Sequence, residues 1–395
     1  MLSQRINELK PSKTTMSAQL ASELKDQGKD VISLGLGEPD FSTPKYILDA
    51  VNEAMYKGKG HHYSPSAGMS ELRQAIADFH ADHDGYRYEK EEVFVCDGAK
   101  MALYFICQIL LNPGDQVLIP SPYWVSYLEQ VKLAGGQAVI IPSQEKQDYK
   151  ITVEQVATHA NEQTKFLILN TPSNPTGMVY SGDEVRAISD YCREHNILLV
   201  VDEIYYRLVY GDTQPQSIMS LTDNLDHVII VNGFSKTYAM TGWRLGYVLA
   251  RQEIIQALAK LASQSNSNAS GLSQYAGLAA LQGSQEDFAN MRMTFAKRLE
   301  NAYDKVSQLP GFQLSSKARG AFYLFPDISE ACQLTGFATA DDFVNALLAE
   351  YYVLVIPGSA FGSDQHIRLS YATDQDTFNQ AIERIHAFIE THRRK

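Results

Sequence analysis

Five consecutive aliphatic residues, Ile197-Leu198-Leu199-Val200-Val201, run straight into a carboxylate, Asp202. A run that is apolar on both faces has no solvated side. It therefore reads as a strand inside a mostly parallel sheet, covered by helices above and below. Related runs recur along the chain. Strands are expected at residues 92–95, 116–119, 137–141, 165–169, 227–231 and 245–249, with helical stretches at 99–111, 123–133 and 184–194. This alternation predicts an α/β fold: a large domain with a mostly parallel sheet, plus a smaller α+β domain. After about Leu258 the pattern changes to long helical stretches, such as 288–307. Expected strands at 321–325, 352–356 and 366–370 follow, with a helix at 341–350 and another from Thr377. The expected division is an N-terminal arm (1–42) joining the small domain, a large domain (43–285) and a small C-terminal domain (286–395). A chain of 395 residues suits two domains.

Net charge and cysteine use limit the function classes. The formal net charge is −12, a poor match for nucleic acid or an anionic membrane. No apolar stretch approaches the length of a membrane span. Cys96, Cys107, Cys192 and Cys332 stand apart, without C-x-x-C or metal-ligand spacing. Reduced, half-buried thiols are expected, with no metal site. The adjacent His61 and His62 read as loop residues whose side chains diverge. The N-terminus lacks the apolar run of a signal peptide, so a cytoplasmic location is expected.

The most informative string is Gly233-Phe234-Ser235-Lys236-Thr237-Tyr238-Ala239-Met240-Thr241-Gly242-Trp243-Arg244-Leu245-Gly246. It follows the apolar run 227–231. A lysine just beyond a strand reaches the cleft above a sheet, and partial desolvation lowers its proton affinity and makes its amine nucleophilic. Ser235 and Arg244 can bind a phosphate there. A lone lysine is usually a solvated surface residue; the whole string is what separates Lys236 from that reading.

Other strand ends carry matching groups. Ligands in open α/β sheets bind at the carboxyl ends of strands. Asp202 at such an end can pair with a protonated ring nitrogen, or simply cap a helix. Asn170-Thr171-Pro172-Ser173-Asn174-Pro175-Thr176-Gly177 is a constrained turn that presents Asn174. Asp97-Gly98-Ala99-Lys100 precedes a helix, where small residues expose backbone N–H groups to an anion, although Asp97 could be a plain cap. Trp124, in Ser121-Pro122-Tyr123-Trp124, can stack on a flat ring or fill a core. In His366-Ile367-Arg368-Leu369-Ser370, strand alternation sets Arg368 opposite Ile367 and Leu369. A buried guanidinium there needs a partner, either a ligand carboxylate or a structural ion pair.

With these residues the chain resembles the class I aminotransferases, most closely the bacterial aspartate aminotransferases of subgroup Ib. The resemblance runs from Lys10-Pro11-Ser12 to Arg368-Leu369-Ser370-Tyr371. It implies a pyridoxal 5′-phosphate (PLP) cofactor attached to Lys236, with Asp202 on the pyridine nitrogen and Tyr205 and Asn174 on the phenolic oxygen. It implies Trp124 stacked on the ring. Gly98, Ala99, Lys100, Ser235 and Arg244 would lie around the phosphate. Arg368 would grip the substrate α-carboxylate, Gly37 would line the substrate site, and Lys100, Ser12 and Thr14 would serve a distal carboxylate. Tyr63 would cross from a neighbouring subunit to the phosphate, which implies a homodimer with shared sites. The implied reaction is ping-pong transfer of an amino group between an L-amino acid, aspartate, and a 2-oxo acid, 2-oxoglutarate. Aromatic, alanine or prephenate transamination, and PLP-dependent lyase chemistry on the same fold, use nearly the same residues.

Overall fold

A computed structural model of the chain describes residues 2–394, so the outermost residue at each end of the expected division lies outside it. Twelve strands are present among the described residues: β1 (Ile32–Ser33), β2 (Val93–Cys96), β3 (Gln116–Ser121), β4 (Gln137–Pro142), β5 (Thr164–Asn170), β6 (Leu198–Asp202), β7 (Val228–Gly233), β8 (Gly246–Leu249), β9 (Tyr323–Leu324), β10 (Val353–Leu354), β11 (Ile356–Pro357) and β12 (Ile367–Ser370). Seven of them form one sheet in the order β2-β8-β7-β6-β5-β3-β4. Strands β3 to β7 pair in parallel. The aliphatic run at 198–201 is the central strand, β6, buried at all but its first position, and its neighbour β7 is buried at every position. Helices cover both faces, and Val, Ile, Leu and Phe side chains fill the two layers beneath them. This is the α/β architecture expected from runs apolar on both sides.

One strand runs the other way. β8 is antiparallel to both of its neighbours, β2 and β7. Its N-terminal end therefore lies at the sheet edge where the other strands have their carboxyl ends. Arg244 precedes β8 by two residues, and the reversal delivers it to the edge where the parallel strands end. An apolar run does not encode strand direction, so hydropathy alone carries no sign of the reversal.

The C-terminal part is held by two small sheets. β11, β12 and β9 form an antiparallel trio, and β1 pairs in parallel with β10, joining Ile32 to Val353 and Ser33 to Leu354. Ile32 and Leu34 share a core with Phe295, Phe343 and Phe388. The N-terminal segment is thus built into the C-terminal core. Two expected strands are shorter here. The stretch 352–356 splits because β10 pairs with β1 while β11 pairs with β12. The stretch 321–325 is reduced to Tyr323–Leu324, and Ala321 has a positive φ of 56°. The helix expected from Tyr123 begins at Ser126. All four cysteines are free and buried, deeper than the half-burial expected. Among the described residues, no helix is long and apolar enough to cross a membrane.

Candidate active site

The ends of β2, β3, β5, β6, β7 and β8 converge on one cleft of about 500 Å³ between the large sheet and the C-terminal part. Lys236 enters from the turn after β7. Its Nζ donates to the Gly37 carbonyl at 2.5 Å. Burial, reinforced by the charges of Arg244 and Arg368 and opposed by Glu38, pulls this amine down to a pKa of about 8. That makes a neutral amine accessible near neutral pH.

Asp202 closes β6 and is buried. Tyr127 Oη donates to its Oδ2 at 2.7 Å, and the Ile204 amide to its Oδ1 at 3.2 Å. Burial raises the carboxyl to about 6, with those two bonds and the Lys236 charge pulling the other way. A cation placed opposite it would restore the ionised form. Asn170, at the end of β5, ties the neighbouring turn to this strand: its Nδ2 donates to the Asp202 carbonyl at 2.9 Å, and its Oδ1 accepts from the Asn174 amide at 2.8 Å.

Arg368 projects from β12, buried between the rings of Tyr323 and Phe361, whose centroids lie 4.5 and 4.9 Å from its Cζ. Nη1 donates to Asn174 Oδ1 at 2.9 Å and Nη2 to the Gly35 carbonyl at 2.7 Å. Its Nε is buried with no partner among the described residues. A buried donor left unpaired costs on the order of 1–3 kcal/mol, so this guanidinium is primed for an acceptor from outside, and a carboxylate fits it. Among the described residues it makes no ion pair.

The opposite end of the cleft gathers groups able to hold an anion. Gly98 caps the helix Ala99–Leu110 with φ +89°, a left-sided backbone that glycine adopts without strain. A Cβ there would sit 2.7 Å from Arg244 Nη2, and a Cβ on Gly246 would sit 2.6 Å from the Ala99 nitrogen. Both glycines let Arg244 and the helix N-terminus close together. The first amides of the helix have no intrahelical acceptor, and Ser235 and Arg244 line the same space.

The family described as aminotransferase class I and II matches residues 29–385. The aspartate aminotransferase of Geobacillus stearothermophilus is 48% identical over 98% of this chain and 99% of its own length. That of Bacillus subtilis (strain 168) is 46% identical over 99% of each. The chain belongs to the class I and II aminotransferases. A solved structure of the aspartate aminotransferase from Thermus thermophilus with maleate shares the fold at a TM-score of 0.92, with 35% identity over 98% of this aminotransferase and 99% of that one.

Of the residues singled out in this aminotransferase, Thr14, Gly37, Ala99, Lys100, Trp124, Asn174, Asp202, Tyr205, Ser235, Lys236, Arg244 and Arg368 line the one cleft. Gly98 stands just behind it as the helix cap. Ser12 does not line it: its Oγ caps the helix Lys13–Asp26, accepting from the Thr15 amide at 3.4 Å and bonding Thr14 Oγ1 at 2.7 Å. The face of that helix turned to the cleft carries Thr14, Thr15 and Ala18. Tyr63 is 89% exposed and lies outside the cleft of its own chain. Lys100 extends over Trp124, its Nζ 5.0 Å from the ring centroid. Much of Lys100 is exposed, yet desolvation of its amine, followed by the Arg244 charge, lowers its pKa.

Two cleft tyrosines that bond other site residues escaped the sequence reading. Tyr127 holds Asp202 and packs edge-on to Trp124 at 5.4 Å. Its only signal was its place one helical turn beyond Trp124. Tyr323 bonds the Tyr205 hydroxyl at 2.8 Å. Nothing in its sequence neighbourhood distinguishes it from the other 21 of the 22 tyrosines.

Proposed function

We propose that this aminotransferase is a PLP-dependent enzyme that moves the amino group of aspartate to 2-oxoglutarate by a ping-pong route, as a homodimer. The observation that carries the reading is the convergence, in one cleft, of a lysine amine with a depressed pKa, a buried carboxylate and a buried guanidinium whose Nε lacks a partner. The chain's groups fit PLP. Gly98, Ala99, Lys100, Ser235 and Arg244 suit its phosphate, Asp202 its ring nitrogen, Trp124 its ring face, Tyr205 and Asn174 its phenolic oxygen, and Lys236 its aldehyde. When bound, PLP supplies a sink for the electron pair left as the substrate Cα loses its proton.

The protein's own part is positioning and proton transfer. Arg368 takes the α-carboxylate through Nε and the free Nη protons, which orients Cα toward Lys236. The Lys236 amine removes the Cα proton as a base and returns it as an acid to the cofactor carbon. Asp202, ionised opposite a cation and held by Tyr127, keeps the ring nitrogen protonated. Lys100, beside Trp124, supplies a cation for a second carboxylate and favours aspartate over neutral amino acids. The exposed Tyr63 is free to reach a neighbouring subunit's phosphate.

The test is a panel of aspartate, asparagine, alanine, phenylalanine and prephenate-derived amino acids with 2-oxoglutarate as acceptor, followed by the colour change of the cofactor in single half-reactions. Aspartate should lead in kcat/KM. A preference for an aromatic or neutral donor would overturn the substrate assignment, and absence of any half-reaction would overturn the transaminase reading.

A further inference from the structure

Tyr323 belongs to β9, in the C-terminal part, and is wholly buried. Three separate contacts meet on it. Its hydroxyl lies 2.8 Å from the Tyr205 hydroxyl. Its ring face lies under the Arg368 guanidinium, 4.5 Å from Cζ to centroid. Its hydroxyl also abuts Gly37 so closely that a Cβ on Gly37 would stand 2.6 Å from it, and the Gly37 carbonyl is the acceptor of Lys236. A ring used only for packing against Phe322, 4.8 Å away, would need no hydroxyl. Burying a phenol is costly unless the hydroxyl is bonded, and here Tyr205 is the bonded partner.

We infer that Tyr323 is a positioning residue that sets two halves of the site at once. Its hydroxyl donates to Tyr205, so that the single Tyr205 proton is left for the cofactor's ring oxygen. Its ring holds Arg368 in the plane that meets a substrate carboxylate. A phenol has one proton. If Tyr205 gives its own to the cofactor, it must accept from Tyr323, and a chain of two hydroxyls polarises the outer donor. The ring works separately, through its negatively charged face on the guanidinium. The two functions therefore divide between the oxygen and the ring of one side chain. The inference rests on the PLP transaminase reading.

The experiment compares the holoenzyme with its Tyr323→Phe and Tyr323→Leu variants. Two quantities are read: the pH at which the yellow absorbance of the Lys236-linked cofactor titrates, and the dissociation constant of maleate, an unreactive dicarboxylate. Phe keeps the ring and deletes the hydroxyl. Weaker donation by Tyr205 leaves more negative charge on the ring oxygen, which stabilises the protonated linkage. Tyr323→Phe should therefore raise the titration midpoint by about 0.5–1 pH unit, with maleate affinity within about twofold of wild type. Tyr323→Leu should raise the midpoint and also weaken maleate by roughly two- to thirtyfold. Should Leu prevent folding, Tyr323→Met takes its place with the same expectation. A midpoint unchanged in Tyr323→Phe, or wild-type maleate affinity without the ring, overturns the inference. Failure of the underlying reading would look different: the wild-type protein itself would show no yellow band bleached by borohydride.

Discussion

Replacing Tyr127 by Phe removes one hydroxyl and leaves the ring against Trp124. That hydroxyl is the shorter of the two bonds on the Asp202 carboxylate, 2.7 Å against 3.2 Å from the Ile204 amide. A hydrogen bond to a charged group contributes about 1.5–3 kcal/mol, equivalent to one to two pH units for the carboxylate. Asp202 already titrates near 6 because of its burial. The variant should move it to roughly 7–8 in the cofactor-free chain. The sign follows from linkage. A carboxyl whose folded pKa exceeds its unfolded value binds more protons folded than unfolded, so stability falls as pH rises between the two. In the wild-type chain this loss runs from about pH 4 to 6 and amounts to about 3 kcal/mol. In Tyr127→Phe it continues to about pH 7–8, adding about 1.5–3 kcal/mol. The assay is urea unfolding of both cofactor-free proteins from pH 4 to 8, taking the difference so that other titrating groups cancel. The gap should be smallest at pH 4 and widen to its full value by about pH 8. In the holoenzyme kcat/KM for aspartate should drop about tenfold or more. A stability gap that is flat with pH would mean the hydroxyl does not act on the Asp202 charge, and the argument would fail.

Lys236→Ala should abolish the borohydride-sensitive yellow band and nearly all turnover while the protein still folds; ordinary activity in this variant would remove the basis of the assignment. Lys100→Ala should lower kcat/KM for aspartate by roughly ten- to a hundredfold and spare alanine and phenylalanine, and equal losses for all donors, measured in the same panel, would make Lys100 a cofactor ligand instead. Mixed dimers of Lys236→Ala and Tyr63→Phe chains should regain activity above either parent, because one of the two shared sites is then intact, and verified hybrids without that gain would place Tyr63 outside the site.

The sequence alone carried the α/β class, the strand ends and most of the cleft. Burial on both faces demands aliphatic runs, and the chemistry sits just past those runs in turns rich in Gly, Pro and Asn. Asp202, Asn174, Lys236 and Gly98 are legible for that reason: each ends a strand or follows one within a few residues, and sheet geometry sends such residues to one edge. Arg368 was legible as a charge inside an apolar strand, although its lack of an ionic partner was not. Only the tertiary structure decided the rest. Hydropathy has no sign for strand direction, so the reversal of β8 that brings Arg244 to the anion end could not be read from it. The joining of β1 to β10 spans 321 positions, from Ile32 to Val353, and no local pattern encodes so distant a pairing. Tyr127 and Tyr323 matter through hydrogen bonds to residues 75 and 118 positions away. Each looks locally like any other half-apolar aromatic. What distinguishes it is the one polar atom that each must satisfy once the chain has closed around it.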